Sequence, residues 1–316
     1  MQNPMGASQK KYPTGEAYIR FWGVRGSYAA PYSSQLGVGG NTSCVEVQAD
    51  SHLLVCDAGT GLIPLGKALD AKGLPNKFMI LFSHYHWDHI CGLPFFEPAF
   101  RSDCELLFFG PGGSKKAIEK TISQMMKAPY FPVEPAGWMA KVRFVEMPNN
   151  HFQFGPIGIS YQNVHHPGVT FAYRIHVDGK VIVYAPDNEF TFLSRSIEQR
   201  YSEFDAQEHA LLEQMKSEAR NRELGLLRGA DILIHDAQYT PEDYESKRGW
   251  GHSCYVDTVN AAIDAEVKTL YLFHHDPTYT DKVIESIHNH ALQIVHERDS
   301  PLRCEIAREG KIVRLS

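Results

Sequence analysis

Three imidazoles and one carboxylate lie within six consecutive positions of the chain, in the segment Ser83-His84-Tyr85-His86-Trp87-Asp88-His89. The segment follows the apolar run Phe78–Phe82, which is typical of a buried strand. Imidazole nitrogens and carboxylate oxygens are common ligands of zinc and related cations. A turn that presents such ligands on alternating sides can face two ions at once. The first predicted metal ligands are therefore His84, His86, Asp88 and His89.

The pattern H-x-H-x-D-H after an apolar strand resembles the signature of the metallo-β-lactamase superfamily, and further matches extend from about Phe21 to Pro277. The resemblance implies an α/β fold of the αββα sandwich type, with two mixed β-sheets face to face and helices outside. It also implies a dinuclear metal site at one edge of the sandwich. Asp57, at the end of the strand-like segment Leu54–Cys56, is then expected to support the ligand loop without binding metal.

Two further ligands implied by the resemblance each fall on a pair of adjacent histidines. His165 or His166 supplies the first, and the register with Pro167-Gly168 favours His166. His274 or His275 supplies the second, and the register with the terminal strand of the superfamily favours His274. The neighbouring histidine remains the alternative in both pairs.

Asp187 ends a strand-like segment and matches the carboxylate that bridges both ions in this superfamily. The predicted cofactors are two divalent metal ions, for which zinc suits the ligands while manganese and iron are compatible. Two ions about 3.5 to 4 Å apart would make a bridging hydroxide available at neutral pH and would neutralise phosphate oxygens. The complete ligand set favours a hydrolase.

The segments Leu233–Gln238 and Gly251-His252-Ser253 resemble motifs of transfer-RNA 3′-processing and cyclic-nucleotide phosphodiesterases. This resemblance implies that Asp236 orients His252, which donates a hydrogen bond or a proton to the scissile phosphate. Asp88 is expected to accept a hydrogen bond from the attacking hydroxide. The predicted catalytic residues are therefore Asp88, His252 and Asp236, with an ordinary loop histidine as the alternative for His252.

Two N-terminal segments, Phe21–Ser27 and Gly39–Cys44, resemble a signature of the cyclic-nucleotide branch. The predicted reaction is hydrolysis of a small nucleotide phosphodiester, in particular a 3′,5′-cyclic one. Tyr130 or Phe131 could stack on the base, and a core or dimer-contact role fits these aromatics equally well.

The chain carries 31 Lys and Arg against 37 Asp and Glu, which gives a net charge of −6, and it has no basic run of five residues. This balance predicts no long nucleic acid as partner, while a small anionic nucleotide held by the metals remains compatible as substrate. A carbon ester, lactone or thioester hydrolase shares the same ligands, although Gly251-His252-Ser253 weighs against it. A non-catalytic metal-binding interaction module is a third possibility.

Alternating strand and helix patterns predict one domain over residues 1–316, with a helical insertion at about 191–227. An apolar stripe in the insertion is predicted to pack locally, to contact a second subunit in a homodimer, or to cap the pocket. The stripe comprises Phe190, Phe192, Leu193, Ile197, Tyr201 and Phe204. Six scattered cysteines, a polar N-terminus and the lack of a membrane-span pattern predict a cytoplasmic location without membrane contact.

Overall fold

The computed structural model describes residues 17–69, 75–146, 150–199 and 205–315. Its strands are β1 Tyr18–Gly23, β2 Cys44–Ala49, β3 His52–Cys56, β4 Lys77–Leu81, β5 Glu105–Phe109, β6 Lys141–Phe144, β7 His151–Phe154, β8 Ile157–Asn163, β9 Phe171–Val177, β10 Lys180–Ala185, β11 Ile232–Asp236, β12 Thr269–Phe273, β13 Arg303–Ile306 and β14 Ile312–Arg314. Its α-helices are α1 Leu62–Ala68, α2 Trp87–Ile90, α3 Lys115–Met125, α4 Phe192–Gln199, α5 Ala206–Leu227, α6 Pro241–Lys247, α7 Tyr255–Asp264 and α8 Asp281–Glu297. Short 3₁₀ turns occur at Leu93–Phe95, Glu97–Phe100 and Pro135–Gly137.

The strands form two seven-stranded mixed sheets. The first has the order β14-β1-β2-β3-β4-β5-β6, and the second has the order β13-β12-β11-β10-β9-β8-β7. Strands β3 to β6 are mutually parallel, as are β10 to β13, whereas the other pairings are antiparallel. Because parallel strands end at the same edge of a sheet, loops that follow β3, β4, β10, β11 and β12 can build one site.

Alternation along the central strands places one set of side chains between the sheets and the other under the helices. In β3, Leu54 lies in the core shared by both sheets, whereas Leu53 and Val55 pack in a second core. Helices α1 and α3 contribute Leu62 and Ile118 to that second core. Strands buried on both faces carry continuous apolar runs, which explains the Leu53–Cys56 and Phe78–Leu81 sequences. The predicted αββα sandwich is confirmed.

A tight hairpin between β9 and β10 fixes the register of the strand that leads to Asp187. Val177 pairs with Lys180, so the loop consists of Asp178 and Gly179. Both loop residues have positive φ, 51° and 69°. An Asp-Gly pair suits such a turn because its twist matches that of the flanking strands.

The segment 191–227 contains α4 and the long helix α5. Phe190 and Ile197 of the predicted stripe are buried, and Phe192 at the start of α4 remains partly exposed. Tyr201 and Phe204 lie outside the described residues. Leu224 and Leu227 of α5 are buried, whereas none of the residues described between 208 and 218 is buried. Only the carboxyl-terminal part of α5 is therefore embedded in the fold.

Across the described ranges, the structure contains no helix whose length and apolar character would suit a membrane span.

Candidate metal centre

Seven predicted ligands converge where strands of both sheets end. His84, His86, Asp88 and His89 follow β4, and the latter two lie on the short helix α2. His166 comes from the loop between β8 and β9, Asp187 follows β10, and His274 follows β12. The ligand atoms form two neighbouring clusters, one containing His84, His86, His166 and Asp187, the other containing Asp88, His89 and His274, while His252 also groups with Asp187 and His274.

The first cluster surrounds the Oδ2 atom of Asp187. The Nε2 atoms of His84 and His166 each lie 3.6 Å from this oxygen. The Nδ1 atom of His86 lies 3.0 Å from His166 Nε2. Three imidazole nitrogens and one carboxylate oxygen therefore point into a common space, which is a suitable donor set for a divalent cation.

The second cluster surrounds the other oxygen of the same carboxylate. The Oδ1 atom of Asp187 lies 3.0 Å from His89 Nε2 and 3.2 Å from His274 Nε2. The Oδ2 atom of Asp88 lies 3.3 and 3.2 Å from the same two nitrogens. Asp187 thus presents one oxygen to each cluster, as a bridging ligand would.

Some ring nitrogens inside the clusters have no satisfactory hydrogen-bond partner among the described residues, and such nitrogens are suited to bind a cation. The buried Nε2 atom of His84 makes no hydrogen bond with any residue in the described ranges. The Nε2 atoms of His89 and His274 face each other at 3.3 Å, an arrangement that cannot be satisfied when both nitrogens carry protons. The residues present therefore fit bound metal.

The carboxylates of the site also favour a positive charge between them. Burial alone would lower the pKa of His89, but the surrounding carboxylates of Asp187, Asp88 and Asp57 raise it well above its usual value. Burial lowers the pKa of His166 to about 4 and holds the pKa of His84 well below its usual range. His84 and His166 are therefore neutral at pH 7 and keep a lone pair for a cation.

Asp57 holds the ligand loop as predicted from the resemblance. Its carboxylate is fully buried and accepts hydrogen bonds from Ser83 N at 2.7 Å and from the Tyr184 hydroxyl at 2.8 Å. It also lies 2.8 Å from His89 Nδ1. A carboxylate on the far nitrogen fixes the tautomer and orientation of a ligating imidazole.

Two other ligands have similar supports. The Nδ1 atom of His166 lies 2.8 Å from the Gly251 carbonyl, and the Nδ1 atom of His274 lies 3.0 Å from Gln238 Oε1. Each acceptor leaves the Nε2 atom of its histidine free to ligate. Gln238 is the last residue of the motif Leu233–Gln238, but the motif did not predict its contact with His274.

The adjacent histidines point away from the clusters. His165 Nε2 lies 3.4 Å from Glu223 on α5, and His275 is buried with Nε2 3.2 Å from the Ala307 carbonyl. Burial and the nearby Arg25 lower the pKa of His275 to about 3. The structure therefore brings His166 and His274 into the clusters and gives their neighbours packing roles.

His252 and Asp236 form a buried pair beside the clusters. The Nδ1 atom of His252 lies 2.8 Å from Asp236 Oδ2, whose carboxylate also accepts hydrogen bonds from the backbone of Asn188 and Gln238. Burial disfavours the protonated form of His252, but the Asp236 carboxylate stabilises that form, and the pKa of His252 is raised to about 8. The His252 ring lies 4.9 Å from the His274 ring. A titratable imidazole thus lies next to the two clusters.

The N-terminal segment Phe21–Ser27 touches the second cluster directly. The backbone nitrogen of Ser27 donates a hydrogen bond to Asp88 Oδ2 at 2.7 Å. A Cβ atom at Gly26 would lie 2.5 Å from the His274 ring, so only glycine permits this approach. The fully buried Arg25 fixes the segment by donating to the carbonyls of Gly39 and Tyr279.

Glu189 is a functional candidate that the sequence did not reveal. Its buried carboxylate accepts hydrogen bonds from the backbone nitrogens of Gly249 and Gly251, each at 2.9 Å, and from the Tyr244 hydroxyl at 2.8 Å. These bonds fix the loop that supplies His252 and the carbonyl acceptor of His166. Its position two residues after Asp187 was the available signal, but an acidic residue in a turn is ordinary.

The aromatic residues predicted to stack on a base lie on a different loop. Tyr130 is 82% exposed. Phe131 packs edge-on against Phe95, with ring centroids 5.5 Å apart. No contact of either ring with a candidate ligand is seen within the described ranges.

The fold and the centre together define a class of protein, the metal-dependent hydrolases with the metallo-β-lactamase fold. A sequence model of the beta-lactamase superfamily domain matches residues 52–207. Ribonuclease Z from Picrophilus torridus is 25% identical over 289 residues, which cover 83% of this chain and 87% of that protein. The model match and the relatives support a metallo-β-lactamase hydrolase that is related to ribonuclease Z.

Solved structures share the fold at low sequence identity. A metallo-β-lactamase fold protein from Bacillus subtilis superposes with a TM-score of 0.63 and 17% identity, covering 95% of this chain and all of that one. The short form of human tRNase Z superposes with a TM-score of 0.57 and 17% identity, covering 95% of this chain and 99% of that one.

The predicted exclusion of a long nucleic acid is wrong. The related ribonuclease Z proteins act on RNA, as their name states, and the human structural neighbour is a tRNase. The exclusion relied on net charge, which describes the whole surface and not the few groups that meet a phosphate. Metal ions at the centre would add local positive charge that the sequence count omits.

Proposed function

We propose that this chain is a phosphodiesterase that hydrolyses nucleotide phosphodiesters with two divalent metal ions, zinc being the best match to the ligands. The observation that carries the proposal is the His252–Asp236 pair, a buried proton donor 2.8 Å from its carboxylate and in ring contact with His274. The relationship to ribonuclease Z supports the same reaction.

The ligands divide the work between the two clusters. When bound, the metal ions would neutralise phosphate oxygens and lower the pKa of a bound water. His84, His86 and His166 would hold one ion, Asp88, His89 and His274 the other, and Asp187 both.

The remaining residues handle protons and orientation. His252 would donate a proton to the oxygen that leaves phosphorus, while Asp236 keeps its Nδ1 atom occupied and its Nε2 atom available. Asp88 accepts the Ser27 backbone hydrogen bond, which orients its carboxylate in the second cluster. A carboxylate in that position can also accept a hydrogen bond from the attacking water.

A 3′,5′-cyclic nucleotide is the smallest substrate that we propose. The contact of Gly26 and Ser27 with the second cluster supports it, since these residues belong to the segment that resembles the cyclic-nucleotide branch. RNA substrates belong in the same test because of the ribonuclease Z relatives.

The test is a substrate panel on purified protein with measured metal content. We expect turnover of bis(p-nitrophenyl) phosphate and of at least one compound among cyclic nucleotides, dinucleotides and precursor transfer RNA. Asp187→Ala should bind less metal and lose that turnover while keeping its fold, because a single edge carboxylate is not part of the core. Turnover of a lactone or thioester with no phosphodiester activity would overturn the proposal.

A further inference from the structure

A groove of about 350 Å³ opens beside the candidate metal centre. Two of its lining residues connect it to the centre: the candidate ligand His166, and Gly251, which directly precedes His252. Phe192 and the loop residue Gly249 form part of the remaining lining. A molecule whose phosphate lies at the metals can therefore extend into this groove.

The ring of Phe192 offers an aromatic surface in the groove. Phe192 is the first residue of α4 and is 37% exposed, whereas its neighbour Phe190 is buried and anchors the chain. Its backbone nitrogen donates to the Glu189 carbonyl at 3.2 Å, and its ring centroid lies 5.9 Å from that of His165. A fixed and partly exposed ring is suited to stacking on a planar ligand.

Glycines keep the groove open beside this ring. Gly249 and Gly251 have φ values of 81° and 92°, which side chains other than glycine rarely adopt. A Cβ atom at Gly249 would lie 3.8 Å from the Phe192 ring, so a larger side chain would extend against it. A Cβ atom at Gly251 would lie 2.3 Å from His166 Nδ1. Backbone without side chains therefore lines this side of the groove.

A second, smaller cavity lies beyond the ring. It has a volume of about 110 Å³, shares Phe192 and Glu189 with the groove and is also lined by Arg195 and Arg248. Both guanidinium groups are paired with carboxylates, Arg195 with Asp257 at 2.5 Å and Arg248 with Glu245 at 2.6 Å. The groove thus connects a polar cavity and the Phe192 ring at one end with the candidate metal centre at the other.

We infer that this groove is a nucleoside subsite, in which the base stacks on Phe192 while the attached phosphate lies at the metal centre. The inference rests on the proposed function and assigns a place in the fold to the nucleoside part of that substrate. It also places the base on Phe192 and not on Tyr130 or Phe131.

Calorimetric binding of adenosine monophosphate and of methyl phosphate to the metal-loaded protein tests the subsite. We expect the nucleotide to bind at least tenfold more tightly than methyl phosphate. Phe192→Leu keeps an apolar side chain but removes the aromatic face, and should weaken nucleotide binding about tenfold because the base loses its stacking partner. Methyl phosphate should bind equally to both proteins, and Phe192→Tyr should retain nucleotide binding.

Tyr130→Leu is the matched control, because it removes an exposed ring from the other loop and should change neither affinity. Equal affinities of the parent for the two ligands, equal weakening of both by Phe192→Leu, or weakening by Tyr130→Leu alone would each overturn the subsite. Turnover of bis(p-nitrophenyl) phosphate separates this result from the proposed function. Its absence, with the nucleotide binding pattern intact, would overturn the phosphodiesterase and leave the subsite standing.

Discussion

At the scale of single residues, Asp187 joins the two halves of the centre. One of its oxygens faces His84 and His166, and the other faces His89 and His274. A buried carboxylate surrounded by imidazoles is stable only when positive charge accompanies it. The carboxylates around His89 raise its pKa well above the usual value, so this part of the centre favours positive charge.

His252→Ala tests the role of the proposed acid. Both metals should remain bound, while turnover of phosphodiesters should fall about 10²-fold to 10⁴-fold, the usual contribution of a positioned acid. A substrate with an excellent leaving group should lose less, and kinetics on a leaving-group series measures this difference.

Two other outcomes would contradict this role of His252. Equal losses for good and poor leaving groups would mean that the ring only positions the phosphate. Loss of a metal would make His252 a ligand, which its proximity to Asp187 and His274 permits.

Glu189→Gln tests the support of the His252 loop. One amide oxygen cannot accept all three hydrogen bonds, and the new NH₂ group opposes a backbone nitrogen of Gly249 or Gly251. We expect the free energy of unfolding to fall by about 1–3 kcal/mol. We also expect kcat to fall more for poor leaving groups than for good ones, and metal affinity to weaken through the His166–Gly251 contact.

Glu46→Gln provides the control for this change. Glu46 is another buried carboxylate, which lies on β2 and accepts hydrogen bonds from Tyr18 and Trp22 of β1. The Glu46→Gln protein should be less stable, but the dependence of its kcat on the leaving group and its metal affinity should not change. If Glu46→Gln and Glu189→Gln give the same kinetic profile, Glu189 has only a structural role.

At this scale the sequence was most informative where ligands are close together in the chain. The segment from His84 to His89 has a density of histidines that ordinary loops lack, so it could be recognised by itself. Glu189 and Gln238 could not be found this way, because their roles depend on hydrogen bonds to segments that are about 60 and 36 residues away. Such contacts are created by the fold and leave no local pattern.

At the scale of elements, strand ends determine which residues meet. The apolar runs predicted the central strands because buried parallel strands need apolar side chains on both faces. The helix α2 within the ligand segment was not predicted, since four residues are too few for a periodic pattern. The pairing of the two sheets depended on the resemblance, because periodicity does not specify which strands become neighbours.

A pair of leucines tests how much of α5 the fold requires. Leu224 is buried, and Leu224→Ala should reduce the free energy of unfolding by about 2–4 kcal/mol. Leu211 is an exposed residue on the same helix, and Leu211→Ala should leave that free energy within about 0.5 kcal/mol of the parent. Urea denaturation of both variants measures the contrast. A large loss of unfolding free energy in the Leu211→Ala protein would show that another surface covers the outer part of α5.

At the scale of the whole molecule, the positions of the candidate ligands predict that metal binding is coupled to folding. The ligands come from both halves of the sandwich, with His84 to His89 following the first sheet and Asp187 and His274 following the second. A ligand that binds only the folded state stabilises it by mass action, by about 2.7 kcal/mol at a concentration 100 times its dissociation constant.

Removal of metal should therefore lower the melting temperature. We expect a chelator to reduce Tm by several degrees and added zinc to restore it, as measured by differential scanning calorimetry. Asp187→Ala should begin near the lower value and respond little to zinc. A parent protein whose Tm is unaffected by complete metal removal would contradict this coupling.

The pairing of β14 with β1 has a consequence for synthesis. β1 lies near the start of the described chain, and its partner Ile312–Arg314 lies almost 300 residues later. His274 likewise comes almost 90 residues or more after each of the other predicted ligands. During translation, which exposes the N-terminal half first, one edge of the first sheet stays open and the centre lacks a ligand. We therefore expect complete metal loading to follow emergence of His274 from the ribosome.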